Sequence, residues 1–216
     1  MGGVANSQDI ELSGGLLRNK FFDDERNNPG YWSVYDSGLG YSILLGVNHL
    51  QKNRFSWRLT IGIQKYSGGV EAGDGAMGGG YKILAEGEKT IASIGFYPLY
   101  FCFWEKLEIS LGLEVATLLK ENFSGTRSFW AINQPREEVD LNDEYERYNA
   151  RVLLGLQGRL GYSVKLSELL YLQPQYSFIL GLSPEFSAFP VYTRSLRHVL
   201  SLGVIIRLNQ QSNIRA

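Results

Sequence analysis

The chain has 216 residues, of which 44% are hydrophobic and 13% aromatic, and its formal net charge is −1. This even balance excludes the strongly basic surface that draws proteins to nucleic acid. Because no run of about 18 apolar residues occurs, transmembrane helices are excluded as well. The single cysteine, Cys102, excludes an internal disulfide framework and a cysteine-rich metal site.

Eight segments have the composition of β-strands, and most of them alternate with a period of two. In chain order they cover residues 10–16, 41–49, 55–63, 90–103, 107–119, 148–164, 170–182 and 196–208. In the clearest case, 148–164, the even positions are almost all apolar and the odd positions are mostly polar or small. The segment 90–103 is apolar on both faces, so alternation does not show which of its sides faces inward.

The connections between these segments alternate in length. Residues 51–54, 104–106 and 165–168 are short, whereas residues 21–38, 67–89, 121–147 and 183–194 are long. Short turns at one end and long loops at the other are typical of bacterial outer-membrane barrels, with the short turns in the periplasm. We therefore predict an all-β fold, an eight-stranded antiparallel up-and-down transmembrane β-barrel with extracellular long loops and periplasmic termini.

The predicted barrel covers residues 9–208 as a single domain. Residues 1–8 form an N-terminal tail and residues 209–216 a periplasmic C-terminal tail. The cost of placing charge in lipid predicts which face of the barrel is outside, since an Arg or Lys side chain at the bilayer midplane costs about 2–4 kcal/mol. The apolar face is therefore expected to contact lipid through Leu111, Leu113, Leu154, Leu156, Phe178, Leu200 and Leu202.

The opposite faces of the strands carry charges of both signs. They predict a charged network in the lumen, formed by Glu11, Arg58, Glu108, Glu114, Arg151, Arg159, Arg197 and Arg207, and Lys120 also falls on an inward position. Unpaired buried charges are costly, so opposite signs should pair. We expect Glu108 or Glu114 to pair with Arg159 on the neighbouring strand. Arg58 or Arg207 should complete the charged layer, and so small a lumen, once filled, should not conduct.

Two prolines and one glycine-rich stretch interrupt the strand pattern. Pro98 and Pro174 lie inside predicted strands, and because proline removes a ladder hydrogen bond we expect a local bulge at each. The stretch at 68–80, GGVEAGDGAMGGG, is followed by Tyr81 rather than by Lys, and no helix follows it. It therefore lacks the pattern of a phosphate-binding loop, and we expect a flexible extracellular loop.

Two stretches carry a resemblance to a known family. Residues 91–119, IASIGFYPLYFCFWEKLEISLGLEVATLL, lead from an apolar strand with a proline through a tight turn to a strand with glycine, and residues 198–208 read HVLSLGVIIRL. Both resemble the PorT-like outer-membrane β-barrel family of the Bacteroidota, over residues 9–208 as architecture. The resemblance implies an exported membrane barrel. Some members of that family serve protein secretion, and it has no family-wide catalytic residues.

The two histidines are the first place to look for catalysis. By alternation, His49 and His198 both face outward near strand ends, where interfacial side chains are common. A lipid A deacylase on such a barrel would place a serine two residues from its lipid-facing histidine. Here position 200 is Leu200 and Ser201 faces inward, so we predict no catalytic residue.

Acidic residues cluster in two of the long connections, at 23–25 and 137–146. Carboxylates bind calcium, but the spacing of an EF-hand with its central glycine is missing. Solvated loops are the simpler interpretation, and bridging of divalent cations to lipopolysaccharide is the alternative. No cofactor or metal site is predicted.

These features favour a non-enzymatic outer-membrane barrel with a side-chain-filled lumen. It would act as a structural, adhesive or accessory subunit of an envelope complex, with protein secretion as one such role. Outer-membrane lipid, lipopolysaccharide and other envelope proteins are its predicted partners, without nucleic acid. The alternatives are an outer-membrane enzyme of the lipid A deacylase or protease type, a small pore, and a soluble ligand-binding barrel, whose cavity would be mostly apolar.

Overall fold

The chain is almost entirely β-sheet in its computed structural model, which describes residues 6–22, 30–51, 56–76, 78–104, 106–132, 134–140, 151–185 and 193–209. The strands are β1 Asn6–Phe22, β2 Tyr31–Gln51, β3 Trp57–Ala76, β4 Gly79–Phe103, β5 Leu107–Ala131, β6 Glu137–Asp140, β7 Val152–Tyr162, β8 Val164–Lys165, β9 Leu170–Gly181 and β10 Arg194–Asn209. Within these ranges no helix is long and apolar enough to cross a membrane.

Eight of the strands close into an antiparallel ring. Its order is β1-β2-β3-β4-β5-β7-β9-β10, and β10 pairs back with β1. The short β6 pairs with the outer part of β5, and β8 continues the line of β7 against β9. The predicted fold class, an eight-stranded up-and-down antiparallel barrel, is confirmed.

The strands are staggered around the ring. The register that starts at Ile10 of β1 runs through all eight strands and returns to β1 at Lys20, ten residues further along. Such a stagger requires the strands to tilt by about 35–45° from the barrel axis. An eight-stranded barrel is just wide enough for its interior to be filled by side chains.

The outward-facing side chains of the ring form an apolar band. On β1, Leu12 and Leu16 are exposed, whereas Glu11 and Ser13, on either side of Leu12, are buried. The band covers the outward positions of residues 10–16, 39–47, 57–63, 92–103, 107–119, 152–162, 172–182 and 200–208. The predicted lipid-facing side chains all lie on this face; Leu111, Leu113, Leu154, Phe178, Leu200 and Leu202 are exposed, and Leu156 is partly exposed.

Strands β2 to β5 continue well beyond the band at the end of the barrel opposite the termini. This protruding sheet comprises residues 31–37, 65–76, 79–90 and 120–131. Its outer face carries ion pairs between Lys65 and Glu88, at 2.9 Å, and between Lys82 and Glu71, at 2.6 Å. Charged side chains therefore join the apolar ones on the outer face where the wall leaves the band.

The protruding sheet corrects the expectation of a flexible loop at 68–80, because β3 and β4 stay paired as far as Ala76 and Gly79. The glycines here serve packing. A Cβ at Gly68 would lie 2.5 Å from the ring carbon Cε2 of Phe21, so only glycine allows that ring to pack against β3. Phe21 belongs to the apolar cluster inside this end of the barrel, with Ile83 and Ala85.

One of the two expected bulges is present. The pairing of β4 with β5 shifts register between Phe96 and Leu99, around Pro98. The shift exchanges the inward and outward positions of β4, which is why its two faces looked alike in the sequence. The expected bulge at Pro174 is wrong, since Pro174 pairs in regular register with Leu202. The break between β7 and β8 faces this proline, which has no N–H to donate.

Candidate functional site

Inside the barrel, near the end that carries the termini, a buried carboxylate joins two arginines. Glu11 accepts hydrogen bonds through Oε2 from Nη2 of Arg58 and through Oε1 from Nη2 of Arg159, both at 2.5 Å. Nε2 of Gln175 donates to the same Oε1 at 2.7 Å, and Arg159 also donates to Gln173 at 3.2 Å. These five residues, the Glu11 cluster, come from β1, β3, β7 and β9 and are all buried.

Inward-facing glycines make room for these long side chains. A Cβ at Gly203 would lie 2.5 Å from Nε2 of Gln175 and 3.1 Å from Oε1 of Glu11. On the other side of β1, a Cβ at Gly46 of β2 would lie 3.3 Å from Nη2 of Arg58. The small residues that alternate with leucine in the sequence therefore provide the space that the cluster fills.

A second buried cluster lies nearer the protruding sheet. Glu114 of β5 accepts hydrogen bonds from Arg197 of β10 and from Gln64 of β3, both at 2.6 Å. Arg197 closes this Glu114 cluster by donating to Oε1 of Gln64 at 2.8 Å. The guanidinium of Arg197 also lies 5.3 Å from the ring centre of Tyr66, a cation–π distance.

The connection after β9 closes the lumen above the Glu114 cluster. Glu185 is buried and accepts hydrogen bonds from the hydroxyl of Tyr66 at 2.9 and 3.0 Å. Its carboxylate lies 3.3 Å from Nζ of Lys89, which also donates to its carbonyl oxygen at 3.1 Å. We call Glu185, Lys89 and Tyr66 the Glu185 plug.

The charge of Glu185 is stabilised by its surroundings. Burial alone would raise the pKa of its carboxyl group. The charges of Lys89 and Arg197 and the hydrogen bonds from Tyr66 outweigh burial, and they hold this pKa below its ordinary value. The plug is therefore held by an ionised carboxylate inside a largely apolar rim.

Of the remaining inward charges, Glu121 lies 3.7 Å from Nζ of Lys89, and Glu108, Arg207 and Asp9 lie near the terminal end. Oε2 of Glu108 is 4.0 Å from Nη1 of Arg58, and the hydroxyl of Ser163 donates to Glu108 at 3.1 Å. Arg207 lies 3.5 Å from the carboxylate of Asp9. Its guanidinium also covers the ring of Tyr171 at 4.4 Å.

Arg151 and Lys120 do not join the lumen. Both are exposed, which corrects their predicted inward positions. β7 begins only at Val152, so Arg151 lies at the bend where the chain enters the wall. A register shift between β4 and β5 at Thr90 reverses the facing of β5, and Lys120 turns outward.

The predicted partners of Arg159 are also wrong, because it bonds to Glu11 rather than to Glu108 or Glu114. The register neighbours of Arg159 are Ser110 on β5 and Ser177 on β9. Its long side chain passes these small residues and crosses the lumen to β1. Arg58 does share the same carboxylate, so it completes the layer as expected.

Sequence reasoning missed several members of these clusters: Gln64, Gln173, Gln175, Tyr66, Lys89 and Glu185. The three glutamines lie at inward positions of alternating strands, so alternation was a usable signal for them. Lys89 and Glu185 lie in segments predicted as loops. No signal in the sequence indicated that Glu185 turns into the barrel.

The histidines lie on the outer wall. The imidazole of His198 stacks on Tyr176 with ring centres 6.0 Å apart, and a hydrogen bond of 2.6 Å joins its Nδ1 to the tyrosine hydroxyl. His49 stacks on Trp57 at 5.6 Å. In the part of the chain that the structure describes, no group of three or more His, Cys, Asp or Glu is placed to hold a metal ion.

Little space remains between the clusters. The cavity beside Thr60, Gln64 and Glu114 has a volume of about 10 Å³, room for at most about one water molecule. Chemically, the lumen holds compensated charges in fixed positions. The lumen residues described leave no open path between them, and a cavity of about 1010 Å³ lies instead at the protruding sheet, where Asp36, Ser67 and Glu86 contribute to its lining.

No protein family matches the sequence, and no curated protein matches it. Similar solved structures include Ail, the attachment invasion locus protein of Yersinia pestis, in complex with the heparin analogue sucrose octasulfate, at 12% identity and a TM-score of 0.41, covering 92% of this chain and 99% of that chain. Neisserial surface protein A, NspA, has 13% identity, a TM-score of 0.39 and coverages of 91% and 96%. OprG, an outer membrane protein from Pseudomonas aeruginosa, has 15% identity, a TM-score of 0.40 and coverages of 96% and 98%. Likeness at this level carries no argument about the function of this chain.

Proposed function

We propose that this chain is a β-barrel of the bacterial outer membrane, with the protruding sheet extracellular and both termini in the periplasm. The apolar band supports this proposal, because an outward apolar surface around a closed ring is what a bilayer requires. The ion pairs on the outer face of the protruding sheet support its placement in water. Outer-membrane lipid and lipopolysaccharide are then the immediate surroundings of the wall.

The barrel acts without catalysis or conduction, as a structural, adhesive or accessory subunit of an envelope complex. The filled lumen carries this proposal. Glu11 holds two arginines, Glu114 holds a third, and Glu185 closes the space above them. With the interior occupied, the wall and the protruding sheet are the surfaces left for partners among other envelope proteins.

More specifically, we propose that the chain belongs to the PorT-like family of the Bacteroidota. This proposal rests on the resemblance of residues 91–119 and 198–208 and would make protein secretion the process served. The enzyme alternative gains no support from the outer wall. A deacylase would need a serine near its outward histidine. The residues in register with His198 are Arg18 and Phe178, and its hydrogen-bond partner is Tyr176. None of these three residues is a serine.

Single-channel recording tests the filled lumen. We expect the refolded full chain to insert into planar bilayers without steady conductance, because packed and paired side chains leave no water path. Insertion is checked separately by the heat-dependent gel mobility of the barrel recovered from liposomes. Large, steady conductance from inserted protein would establish the small pore instead.

A further inference from the structure

Two exposed cations lie next to each other on the outer wall, at the edge of the apolar band nearer the protruding sheet. Arg18 and Lys20 follow Leu16 on β1, and all three face outward and are exposed. His198 of β10 is the register partner of Arg18, and it is partly exposed on the same face. Two positive charges and an imidazole thus meet where the wall changes from apolar to polar.

Arg18 is held on one side, and its register partner His198 is held on the other strand. Its Nη2 donates to the hydroxyl of Ser37 on β2 at 3.1 Å. On β10, His198 is held by its stacking and its hydrogen bond with Tyr176. The rest of the guanidinium and the ammonium of Lys20 remain directed at the surroundings of the barrel.

Neither cation is neutralised within the described part of the chain, since Arg18 and Lys20 form no ion pair there. The charged neighbours are Asp36, next to Ser37 on β2, and Arg194, two positions before Leu196 on β10. Lys20 pairs in register with both Ser37 and Leu196. Among the described residues the patch therefore keeps a net positive charge and is complementary to an anion. Lys65 on β3, by contrast, is paired with Glu88.

The leucines beside and below the cations are the most exposed in the band. Leu16 and Leu39 are 76% exposed and Leu200 is 67% exposed, against 37–58% for the other exposed large apolar side chains of the wall strands. Leu16 pairs in register with Leu200, and Arg18 pairs with Leu39. Leu16 lies one step of two residues, about 7 Å along β1, from Arg18, and Leu39 lies beside Arg18 on β2.

We propose that Arg18 and Lys20, with His198 beside them, bind the phosphate of one anionic lipid of the outer leaflet, whose acyl chains lie along Leu16, Leu39 and Leu200. The assignment rests on the proposed membrane location of the band. A soluble anion would use the cations alone. An amphiphile with a phosphate head uses the cations and the unusually exposed leucines together, through charge-assisted hydrogen bonds above and apolar contact below.

Native mass spectrometry of the full chain in dodecyl maltoside micelles tests the site with dimyristoyl phosphatidate as the probe. We expect one saturable bound lipid, and we expect Arg18→Gln/Lys20→Gln to weaken its affinity by about tenfold or more, the loss of two charge-assisted hydrogen bonds. The matched control is Lys120→Gln/Arg151→Gln, which removes two exposed cations at the same edge of the band on β5 and before β7. It should change the affinity by less than about twofold.

Two further probes separate the sources of binding. Dimyristoyl glycerol, which lacks the phosphate, should not bind, and inorganic phosphate at millimolar concentration should not displace the lipid. Displacement by phosphate, equal losses from the two double variants, or no saturable binding would each overturn the lipid site. Failure of the wild-type chain to insert into liposomes would instead contradict the proposed membrane location, so the two failures are distinguishable.

Discussion

At the scale of single residues, the barrel depends on carboxylates that each satisfy more than one donor. Glu11 bonds to Arg58, Arg159 and Gln175, whereas Glu114 bonds to one arginine and one glutamine. A buried charge that loses its partner is strongly destabilising, because its desolvation is no longer compensated. Removing the charge of Glu11 leaves Arg159 without a counter-charge and leaves Arg58 with only the more distant Glu108.

Glu11→Gln should therefore lower the free energy of unfolding of the refolded barrel by about 3–5 kcal/mol or more. Glu114→Gln should lower the free energy of unfolding by less, because it leaves only Arg197 without its carboxylate partner. The control is Glu137→Gln on the exposed β6, which should leave the urea midpoint almost unchanged. Equal midpoints for Glu11→Gln and Glu137→Gln would mean that the lumen is wet and its charges are independent.

At the scale of elements, each long strand is built from two parts with the same geometry and different surroundings. β4 and β5 run from the apolar band into the protruding sheet without ending. Leu113 of β5 and Leu84 of β4 both point outward and are 55% and 44% exposed. Leu113 lies in the band, and Leu84 lies on the protruding sheet, two residues from the exposed Glu86.

An arginine at these two positions should give different results in a bilayer. Leu113→Arg should lower the stability of the barrel in phosphatidylcholine vesicles by about 2–4 kcal/mol, since it places a charge within the hydrocarbon. Leu84→Arg should have almost no effect, because its side chain remains in water. Urea titration of folding into vesicles measures both. Similar penalties for the two variants would contradict the assignment of the band to the membrane.

At the scale of the whole molecule, the Glu185 plug links the β9–β10 connection to β3 and β4 across the barrel. Its ionised carboxylate has a pKa below the ordinary value of 4.5. The ionised form therefore contributes its full stabilisation above pH 4.5. That contribution is lost as the pH falls further through the lower pKa of the folded state.

Acid should consequently release the plug before the barrel unfolds. We expect proteolysis of the β9–β10 connection to accelerate below pH 4.5 in the wild type, measured with an acid-active protease in detergent micelles. In Glu185→Gln the connection should be cleaved faster already at neutral pH and with a much weaker dependence on pH. Glu137→Gln is the control and should behave as the wild type. The same acid dependence in wild type and Glu185→Gln would show that another group controls this connection.

The sequence by itself determined the number of strands in the ring and the facing of most of them. Alternation is a local property, because successive side chains of a strand point to opposite sides whatever the strand packs against. The residues on one face of β1, such as Glu11 and Ser13, could therefore be assigned to the interior without knowledge of their neighbours. The free-energy cost of placing a charged side chain in lipid then distinguished the inner face from the outer face.

Only the tertiary structure decided which inward residues meet. The stagger of the closed ring brings Arg159 to Glu11 across the lumen, and this contact depends on all eight strands together. Register shifts at Pro98 and Thr90 and the extra strand length of the protruding sheet moved Lys120 outward and Lys89 inward. Glu185 enters the barrel because Lys89 and Tyr66 stabilise its charge there, and such a contact between distant segments leaves no period in the sequence.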